Sequence, residues 1–180
     1  MLGDAGVRAP LIGEARVRVR YAETDQMGVV YHANYLVWFE VGRVELIRQM
    51  GLDYRRMETE EGCMIAVVEA KARYKEPARY DEELLVRTWV SGFRSALLKF
   101  RYEVLRAADG AVLCTGETVH VVVGRDMRRR PMPEAYARVF RSTAGGRLRE
   151  GDGGVGEVLA EETLDEGAEV FGGPGEDEAP

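Results

Sequence analysis

Near the start of the chain hydrophobic and polar residues alternate, and a stretch in which most residues are hydrophobic follows. Residues 14–21, EARVRVRY, place apolar side chains at alternating positions, which predicts a half-buried strand. From Asn34 to about Met50, apolar residues occur on most sides of a helical projection, so a helix of about 25 Å that is covered on several sides is predicted. Asn34 is the expected N-cap of this helix, and Gly51 is its expected C-terminal stop.

The remaining hydrophobic segments have the composition of strands. The pair Asp109-Gly110 is a strong hairpin signal, and Pro131 and Pro133 end the last strand before a short helix predicted at 134–142. We predict four strands in a meander, at 63–74, 83–90, 96–106 and 112–123. Because one long apolar helix and a run of antiparallel strands must bury each other, an α+β fold in which the strands wrap the helix is expected.

Length and composition fit a single domain. The chain has 180 residues, of which 46% are hydrophobic, which is enough for one core. We expect an N-terminal extension at 1–13, the folded domain at 14–142 and a tail at 143–180. The tail has 11 acidic and 2 basic residues, whereas residues 1–142 have 20 and 23, and it is rich in glycine, so it is predicted to be mobile. A G-x-G-x-x-G match over 151–156 follows no predicted strand, so it is not interpreted as a dinucleotide site.

Several classes of protein are excluded by what the sequence lacks. No apolar run reaches the ~18 residues of a membrane span and no secretory signal is recognised, so a cytoplasmic location is expected. Cys63 and Cys114 are interpreted as small buried hydrophobic residues, and no metal site is expected from two histidines without paired cysteines. The sequence also contains no G-x-S-x-G nucleophile motif, no phosphate-binding loop and no basic, aromatic face for nucleic acid.

The segment TDQMGVVYHANYLVWFE, residues 24–40, holds the candidate chemistry. Asp25 lies in a loop after the first strand, where Gly28 allows a tight or left-handed turn. His32 lies just before the predicted helix, so its backbone N–H, with that of Ala33, points outward at the positive end of the helix. Such an N–H stabilises an oxyanion, and a nearby carboxylate serves as nucleophile or general base, as acyl transfer requires. The residues alone also allow a capping role for Asp25 and a structural role for His32.

The same region resembles a known family. The stretch YAETDQMGVVYHANYLVWFEVGRVE closely resembles the signature of hotdog-fold acyl-CoA thioesterases of the 4-hydroxybenzoyl-CoA thioesterase type, including the bacterial Tol-Pal-associated branch. The resemblance is dense over about 25 residues and extends loosely over 12–140. It implies a five-stranded antiparallel sheet wrapped around one long central helix. It also implies subunits that pair edge to edge into a homo-oligomer, a dimer or a tetramer.

The resemblance implies roles for particular residues. Asp25 would be the catalytic carboxylate, and the backbone N–H at His32 would polarise the thioester carbonyl of an acyl-CoA substrate. The imidazole of His32 is expected to be dispensable, because this position is tyrosine in some relatives. Whether Asp25 forms an acyl anhydride or activates a water stays open. No cofactor is implied beyond the coenzyme A of the substrate. The pocket residues that match the motif are Gly28, Val30, Tyr31, Asn34 and Tyr35.

The phosphates of coenzyme A require a basic rim around the expected site. The best candidates are Arg128, Arg129 and Arg130, just after the last strand, with Arg94 and Lys99 as weaker ones. A solvated turn is the alternative interpretation of the arginine triplet. The acyl group is expected to enter between helix and sheet at the interface of two subunits.

Two other functions remain open from the sequence. Hydratases of this fold act on enoyl thioesters through an Asp/His pair, so a hydratase would use the side chains of both Asp25 and His32. A non-catalytic acyl-CoA binding module is the second alternative. In distant thioesterases of the fold a helix-borne glutamate is catalytic, which makes Glu40 a minor candidate.

Other conspicuous residues are given structural roles. His120 is expected to be a hydrogen-bonded histidine of the sheet, and Trp38 and Phe39 are expected in the core or an interface. Glu40 and Arg43, three residues apart on the helix, are expected to pair.

Overall fold

The computed structural model describes residues 10–144. The predicted tail, its glycine motif and most of the N-terminal extension lie outside this part of the chain. A single turn of 3-10 helix spans Tyr21–Glu23. The other elements are β1 (Ile12–Arg18), α1 (Asn34–Gln49), α2 (Tyr54–Thr59), β2 (Met64–Tyr74), β3 (Glu83–Arg94), β4 (Leu97–Arg106), β5 (Val112–Val123) and α3 (Glu134–Thr143).

The five strands form one antiparallel sheet in the order β1-β3-β4-β5-β2. The predicted five-stranded antiparallel sheet is confirmed, but the predicted four-strand meander is wrong. Only β3, β4 and β5 are consecutive neighbours, and β2 lies at the far edge beside β5. The connection from Tyr74 to Glu83 is longer than a hairpin turn and crosses the end of the sheet. It leaves the edge of β3 free for β1, which pairs from Ile12↔Trp89 to Arg18↔Glu83.

The core lies between α1 and one face of the sheet. Gly42 allows the helix to approach β3 closely, since a Cβ there would lie 2.4 Å from Thr88 Oγ1 and 2.7 Å from Val86 Cγ1. Phe39 stacks on Tyr102 of β4 with a centroid distance of 4.4 Å. Trp38 and Phe39 are buried as predicted. The predicted α+β arrangement, in which an antiparallel sheet wraps one long helix, is confirmed.

One side of α1 is not covered in this subunit. Leu36, Val37 and Val41 are 40%, 48% and 40% exposed, whereas the sequence predicted a helix buried on several sides. These side chains are therefore not covered by other parts of residues 10–144. On β2, Val67 and Val68 are also exposed.

The ends of α1 are only partly as predicted. Gly51 has a φ of 76° and follows the last turn, which confirms the predicted stop. The predicted capping role of Asn34 is wrong, because Ala33 occupies the N-cap position and Asn34 is the first helical residue. The side-chain amide of Asn34 donates instead to the backbone oxygen of Glu23 at 2.8 Å.

The short helices complete the fold. The helix predicted at 134–142 is α3, whose Phe140 packs against Phe93 and Phe100. The sequence did not predict α2, which Asp53 caps by accepting a hydrogen bond from the Arg56 N–H at 3.0 Å. Within the described residues no helix has both the length and the apolar character needed to span a membrane.

Replacement of Gly42 by alanine tests the contact between helix and sheet. We expect Gly42→Ala to lower the free energy of unfolding by about 1–3 kcal/mol, because the new Cβ overlaps Thr88 and Val86. Urea unfolding measures this change, with Arg48→Ala, an exposed ion-pair variant on the same helix, as the control that loses less than about 1 kcal/mol. Alanine is the better helix former by about 1 kcal/mol, so a stabilised Gly42→Ala would contradict the close approach.

Candidate active site

Asp25 lies in a tight loop that leads to the start of α1. The loop closes through a bridge between Thr24 and Val30 and a hydrogen bond from the Asp25 N–H to Val29 O at 2.9 Å. Gly28, with a φ of 69°, provides the left-handed residue of the turn, as predicted. The Met27 N–H donates to Asp25 Oδ1 at 2.8 Å, while Oδ2 accepts no hydrogen bond within residues 10–144. One carboxylate oxygen therefore fixes the side chain and the other is available for chemistry.

Two backbone N–H groups at the start of α1 lack an acceptor within the described residues. Within the first turn Asn34 N–H donates to Tyr31 O at 3.0 Å, and Tyr35 N–H donates to His32 O at 3.3 Å. The N–H groups of His32 and Ala33 donate to no group in the described part of the chain. Free N–H groups at a helix N-terminus attract negative charge, and these two lie at the place predicted for an oxyanion site.

Glu23 holds the loop and the helix start together. Its side chain is buried and accepts hydrogen bonds from Arg20 N at 2.7 Å, Arg20 Nη2 at 2.9 Å and Trp38 Nε1 at 3.3 Å. Its backbone oxygen accepts from Tyr31 N–H at 2.9 Å and from Asn34 Nδ2 at 2.8 Å. Burial opposes the charged form, yet the hydrogen bonds from Arg20 and Trp38 hold the pKa of Glu23 below its ordinary value. Sequence reasoning missed Glu23; the available signal was an acid two residues before Asp25.

A second set of contacts joins the site to the loop between β2 and β3. Val30 N–H donates to Ala78 O at 2.9 Å, and Ala78 N–H donates to Tyr35 Oη at 3.1 Å. The hydroxyl of Tyr74, the last residue of β2, donates to His32 O at 3.0 Å. Ala78 and Tyr74 were not singled out in the sequence, because their neighbours in the site lie more than forty positions away along the chain.

The structure brings most of the predicted site residues together. Gly28 and Val30 belong to the Asp25 loop, and Asn34 and Tyr35 begin α1. Tyr31 lies between them with an exposed ring. Val30 and Tyr35 are buried, so they shape the support of the site more than its surface.

The His32 imidazole is exposed and forms no hydrogen bond in the described residues. Its ring lies against Tyr31, with centroids 4.4 Å apart, and edge-on to Tyr74 at 6.2 Å. The backbone oxygen of His32 is thus hydrogen-bonded and its N–H is free, while its side chain makes only ring contacts within residues 10–144.

The arginine triplet lies far from Asp25 in the same subunit. The backbone of Arg129 forms an isolated antiparallel β-bridge with Val123, and Val123 pairs with Met64 at the start of β2. Tyr74, which contacts His32, is at the other end of that strand. Ten residue steps at about 3.3 Å separate the two ends by roughly 33 Å. One subunit therefore does not unite the triplet with the Asp25 loop.

Residues outside this region have structural roles. His120 is fully buried and its Nε2 lies 2.7 Å from Thr118 Oγ1, which agrees with the prediction of a hydrogen-bonded sheet histidine. Burial, followed by the charge of Arg43, lowers the pKa of His120 to about 3, so the ring is neutral. Arg43 contacts the His120 ring nitrogens at 3.0 and 3.1 Å, and the predicted pair of Arg43 with Glu40 does not form. Cys63 and Cys114 are free and buried as expected.

The model of the thioesterase-like superfamily matches residues 19–140, which include the Asp25 loop and all of α1. The chain belongs to the thioesterase-like superfamily. The predicted thioesterase class is confirmed at the level of this family, and the expected hotdog fold is confirmed by its solved relatives.

Several members are similar over most of their length. YneP of Bacillus subtilis is 39% identical over 115 residues, which cover 64% of this chain and 82% of YneP. The acyl-CoA thioester hydrolase YbgC of Escherichia coli O6:H1 is 30% identical over 126 residues, which cover 69% of this chain and 92% of YbgC. The crystal structure of TT1821 from Thermus thermophilus shares 39% identity with a TM-score of 0.69, over 73% of this chain and 98% of TT1821.

Acidification tests the role given to Glu23. Since its pKa in the folded protein lies below the ordinary 4.5, its contribution to stability is present above pH 4.5 and is lost as the pH falls through the folded-state value. We expect Glu23→Gln to lower the free energy of unfolding at pH 7 by about 1–3 kcal/mol. Below pH 4.5 the free energy of unfolding of this variant should decrease less with falling pH than that of the wild type. Urea unfolding at several pH values measures both effects.

The matched control is Glu134→Gln, which removes an exposed carboxylate that also pairs with an arginine. Solvent screens that pair, so the control should lose much less stability at pH 7 than Glu23→Gln does. Equal losses in the two variants would contradict the anchoring role of Glu23.

Proposed function

We propose that the protein hydrolyses acyl-CoA thioesters to a free acid and coenzyme A. The observation that carries the proposal is the pair of free N–H groups at His32 and Ala33, which follows the Asp25 loop and is held to it by Glu23. The names of its relatives support it: YbgC is an acyl-CoA thioester hydrolase, and a DHNA-CoA thioesterase of Staphylococcus aureus is 28% identical with a TM-score of 0.67, over 84% of this chain and 93% of that enzyme.

In the proposed reaction the thioester carbonyl oxygen accepts a hydrogen bond from the His32 N–H. Asp25 either attacks the carbonyl carbon, which gives an acyl anhydride that water then hydrolyses, or removes a proton from a water that attacks directly. In both routes the negative charge that develops on the carbonyl oxygen lies at the helix N-terminus, where the partial positive charge stabilises it. Collapse of the tetrahedral intermediate breaks the C–S bond, and coenzyme A leaves as a thiolate that takes up a proton.

We propose that the chain belongs to the Tol-Pal-associated branch, because its motif resembles the signature of that branch. The acyl group is proposed only as a class, namely short aliphatic, aromatic or long-chain.

The active form is proposed to be a homo-oligomer built on the edge of β2. This strand has one neighbour, β5, so its other edge carries unpaired backbone groups. Val67 and Val68 are exposed on β2, and Leu36, Val37 and Val41 form the uncovered side of α1. A second copy related by a two-fold axis would continue the sheet and cover these apolar side chains.

This arrangement also gives the arginine triplet a role. Antiparallel pairing of two β2 strands sets the Met64 end of one strand beside the Tyr74 end of the other. Arg128, Arg129 and Arg130, which form no ion pair within residues 10–144, would then approach the Asp25 loop of the partner. Their charges suit the phosphates of coenzyme A, so each site would combine Asp25 of one subunit with arginines of the other.

A hydratase is the alternative function in which the side chain of His32 would take part in the reaction. A hydratase would require the imidazole to act on the enoyl group, whereas the proposed hydrolysis uses only the backbone N–H. Loss of all activity in His32→Ala, with formation of a hydrated acyl-CoA by the wild type, would favour the hydratase. Binding of acyl-CoA without turnover would favour a binding module.

Substitution of Asp25 and of His32 tests the roles proposed for the two residues. We expect Asp25→Asn to reduce kcat by at least about 100-fold and His32→Ala to reduce it by less than about 10-fold. Release of CoA from a panel of acyl-CoAs measures both and identifies the preferred chain. Asp109→Asn is the matched control, because Asp109 also accepts a hydrogen bond from the N–H two residues on, at 3.0 Å. A fully active Asp25→Asn would refute the assignment.

Replacement of the arginine triplet tests whether it binds the phosphates of coenzyme A. Replacement of Arg128, Arg129 and Arg130 by glutamine is expected to raise KM about 10-fold or more at low salt and to leave kcat within about threefold, because the contacts bind substrate and transition state alike. Triple replacement of Arg16, Arg48 and Arg141, which are exposed and paired elsewhere, is the control.

Mixing of inactive and low-affinity subunits tests which subunit supplies the arginines. A mixed dimer of Asp25→Asn with the triple glutamine variant contains one intact site only if Asp25 and the arginines come from different subunits. We expect activity with wild-type KM after the two proteins are unfolded and refolded together. The absence of such activity, with mixed dimers present, would show that Asp25 and the arginines of one site do not come from different subunits.

A further inference from the structure

The peptide group between His32 and Ala33 is held on one side and free on the other. A trans peptide directs its carbonyl and its N–H to opposite sides, and the described chain contains no cis peptide. The carbonyl, His32 O, accepts hydrogen bonds from Tyr35 N–H at 3.3 Å and from Tyr74 Oη at 3.0 Å. The N–H, on Ala33, donates to nothing in residues 10–144. Whatever fixes the carbonyl therefore fixes the direction of the free Ala33 N–H.

Tyr74 is the stronger of the two restraints on this carbonyl. The bond from Tyr35 N–H is long, as in a 3-10 turn, whereas the bond from the Tyr74 hydroxyl has ordinary length. The Tyr74 ring is itself fixed by Tyr35, at a centroid distance of 5.2 Å and an interplanar angle of 71°. Burial raises the pKa of Tyr74, so the hydroxyl keeps its proton, and a carbonyl oxygen can only accept it.

The neighbouring peptide shows the same arrangement. In the group between Tyr31 and His32, the carbonyl accepts a hydrogen bond from Asn34 N–H at 3.0 Å and the His32 N–H is free. Two successive N–H groups at the start of a helical turn project in the same direction, away from the helix. A hydrogen bond to a peptide carbonyl also polarises the N–H of that peptide and makes it a better donor.

We propose that Tyr74 is a positioning residue that holds the Ala33 N–H as a second oxyanion donor beside the His32 N–H. The proposal rests on the proposed thioesterase function and adds to it a donor and a residue from another element of the fold. The carbonyl oxygen of the thioester would accept hydrogen bonds from both N–H groups as its charge develops. Because Tyr74 belongs to β2, the oxyanion site is built from the sheet as well as from α1.

Removal of the Tyr74 hydroxyl tests the first half of the proposal. Tyr74→Phe keeps the ring contacts with Tyr35 and His32 and removes only the hydrogen bond to His32 O. We expect kcat for CoA release to fall about 10-fold with KM within about twofold, a smaller loss than the 100-fold or more for removal of a donor itself. Tyr80→Phe is the matched control: this tyrosine is exposed in the loop after β2, its ring lies edge-on to that of Tyr21, and its loss of the hydroxyl should leave full activity.

A ligand without a carbonyl separates positioning from general damage. An S-alkyl-CoA thioether fills the substrate site but presents no oxygen to the N–H groups. We expect its Kd to be the same for wild type and Tyr74→Phe, within about twofold, while kcat differs. Equal weakening of thioether binding and turnover would show that Tyr74 only maintains the shape of the site, and would overturn the proposal.

Removal of the Ala33 N–H tests the second half. Incorporation of lactic acid at position 33 replaces the N–H with an ester oxygen and leaves the side chain unchanged. The ester variant is expected to lose about 100-fold or more in kcat, and Tyr74→Phe added to it should have little further effect, because the two changes act on one hydrogen bond to the substrate. Losses that multiply in the double variant, or an ester variant as active as the wild type, would overturn the proposal.

The activity of the wild type separates a failure of the proposed thioesterase function from a failure of the role proposed for Tyr74. A wild-type protein that releases CoA from no acyl-CoA contradicts the proposed function and the role of Tyr74 with it. A wild type that turns over acyl-CoA, with Tyr74→Phe equal to Tyr80→Phe, leaves the thioesterase intact and contradicts the role of Tyr74 alone.

Discussion

Glu23 carries a buried carboxylate that accepts three hydrogen bonds, two from side chains and one from the Arg20 backbone N–H, and the geometry at the start of α1 depends on it. A buried anion is costly unless its oxygens are satisfied, so conformations that lose Arg20 or Trp38 are disfavoured. The backbone oxygen of the same residue fixes Tyr31 and Asn34. The loop from Thr24 to Val30 is therefore clamped at both ends, and the position of Asp25 follows from the folding of its neighbours.

The helix start combines this rigidity with unsatisfied hydrogen-bonding groups. Most backbone N–H groups around α1 find an acceptor in the protein, including those of Tyr31, Asn34 and Tyr35. Those of His32 and Ala33 find none within residues 10–144, although a satisfied helix end would be more stable. Proteins tend to keep such local deviations where function requires them, and here the deviation lies beside a carboxylate with one free oxygen. Stability and reactivity are thus assigned to adjacent atoms of one short segment.

The sequence predicted those parts of the fold that depend on local patterns. The long helix, all five strands and the left-handed Gly28 follow from periodicity and from turn chemistry, which involve neighbours along the chain. Other features depend on how strands pair across the sheet, which periodicity does not report. They are the position of β2 beside β5, the contact of Arg43 with His120 and the uncovered side of α1. At the site, Asp25 and His32 were found through the motif. Tyr74 and Ala78 were not, because they reach the site only after β2 and its following loop fold over the start of α1.

The two buried cysteines bear on how turnover can be followed. Hydrolysis of a CoA thioester liberates a thiol, which disulfide reagents detect at pH 8. Burial raises the pKa of Cys114 to about 11, and it raises that of Cys63 as well. A thiol with a pKa near 11 is about one part in a thousand thiolate at pH 8, and the thiolate is the form that reacts. Both cysteines are also fully buried, so we expect the folded protein to react slowly with such reagents and a colour that develops without substrate to come from unfolded chains.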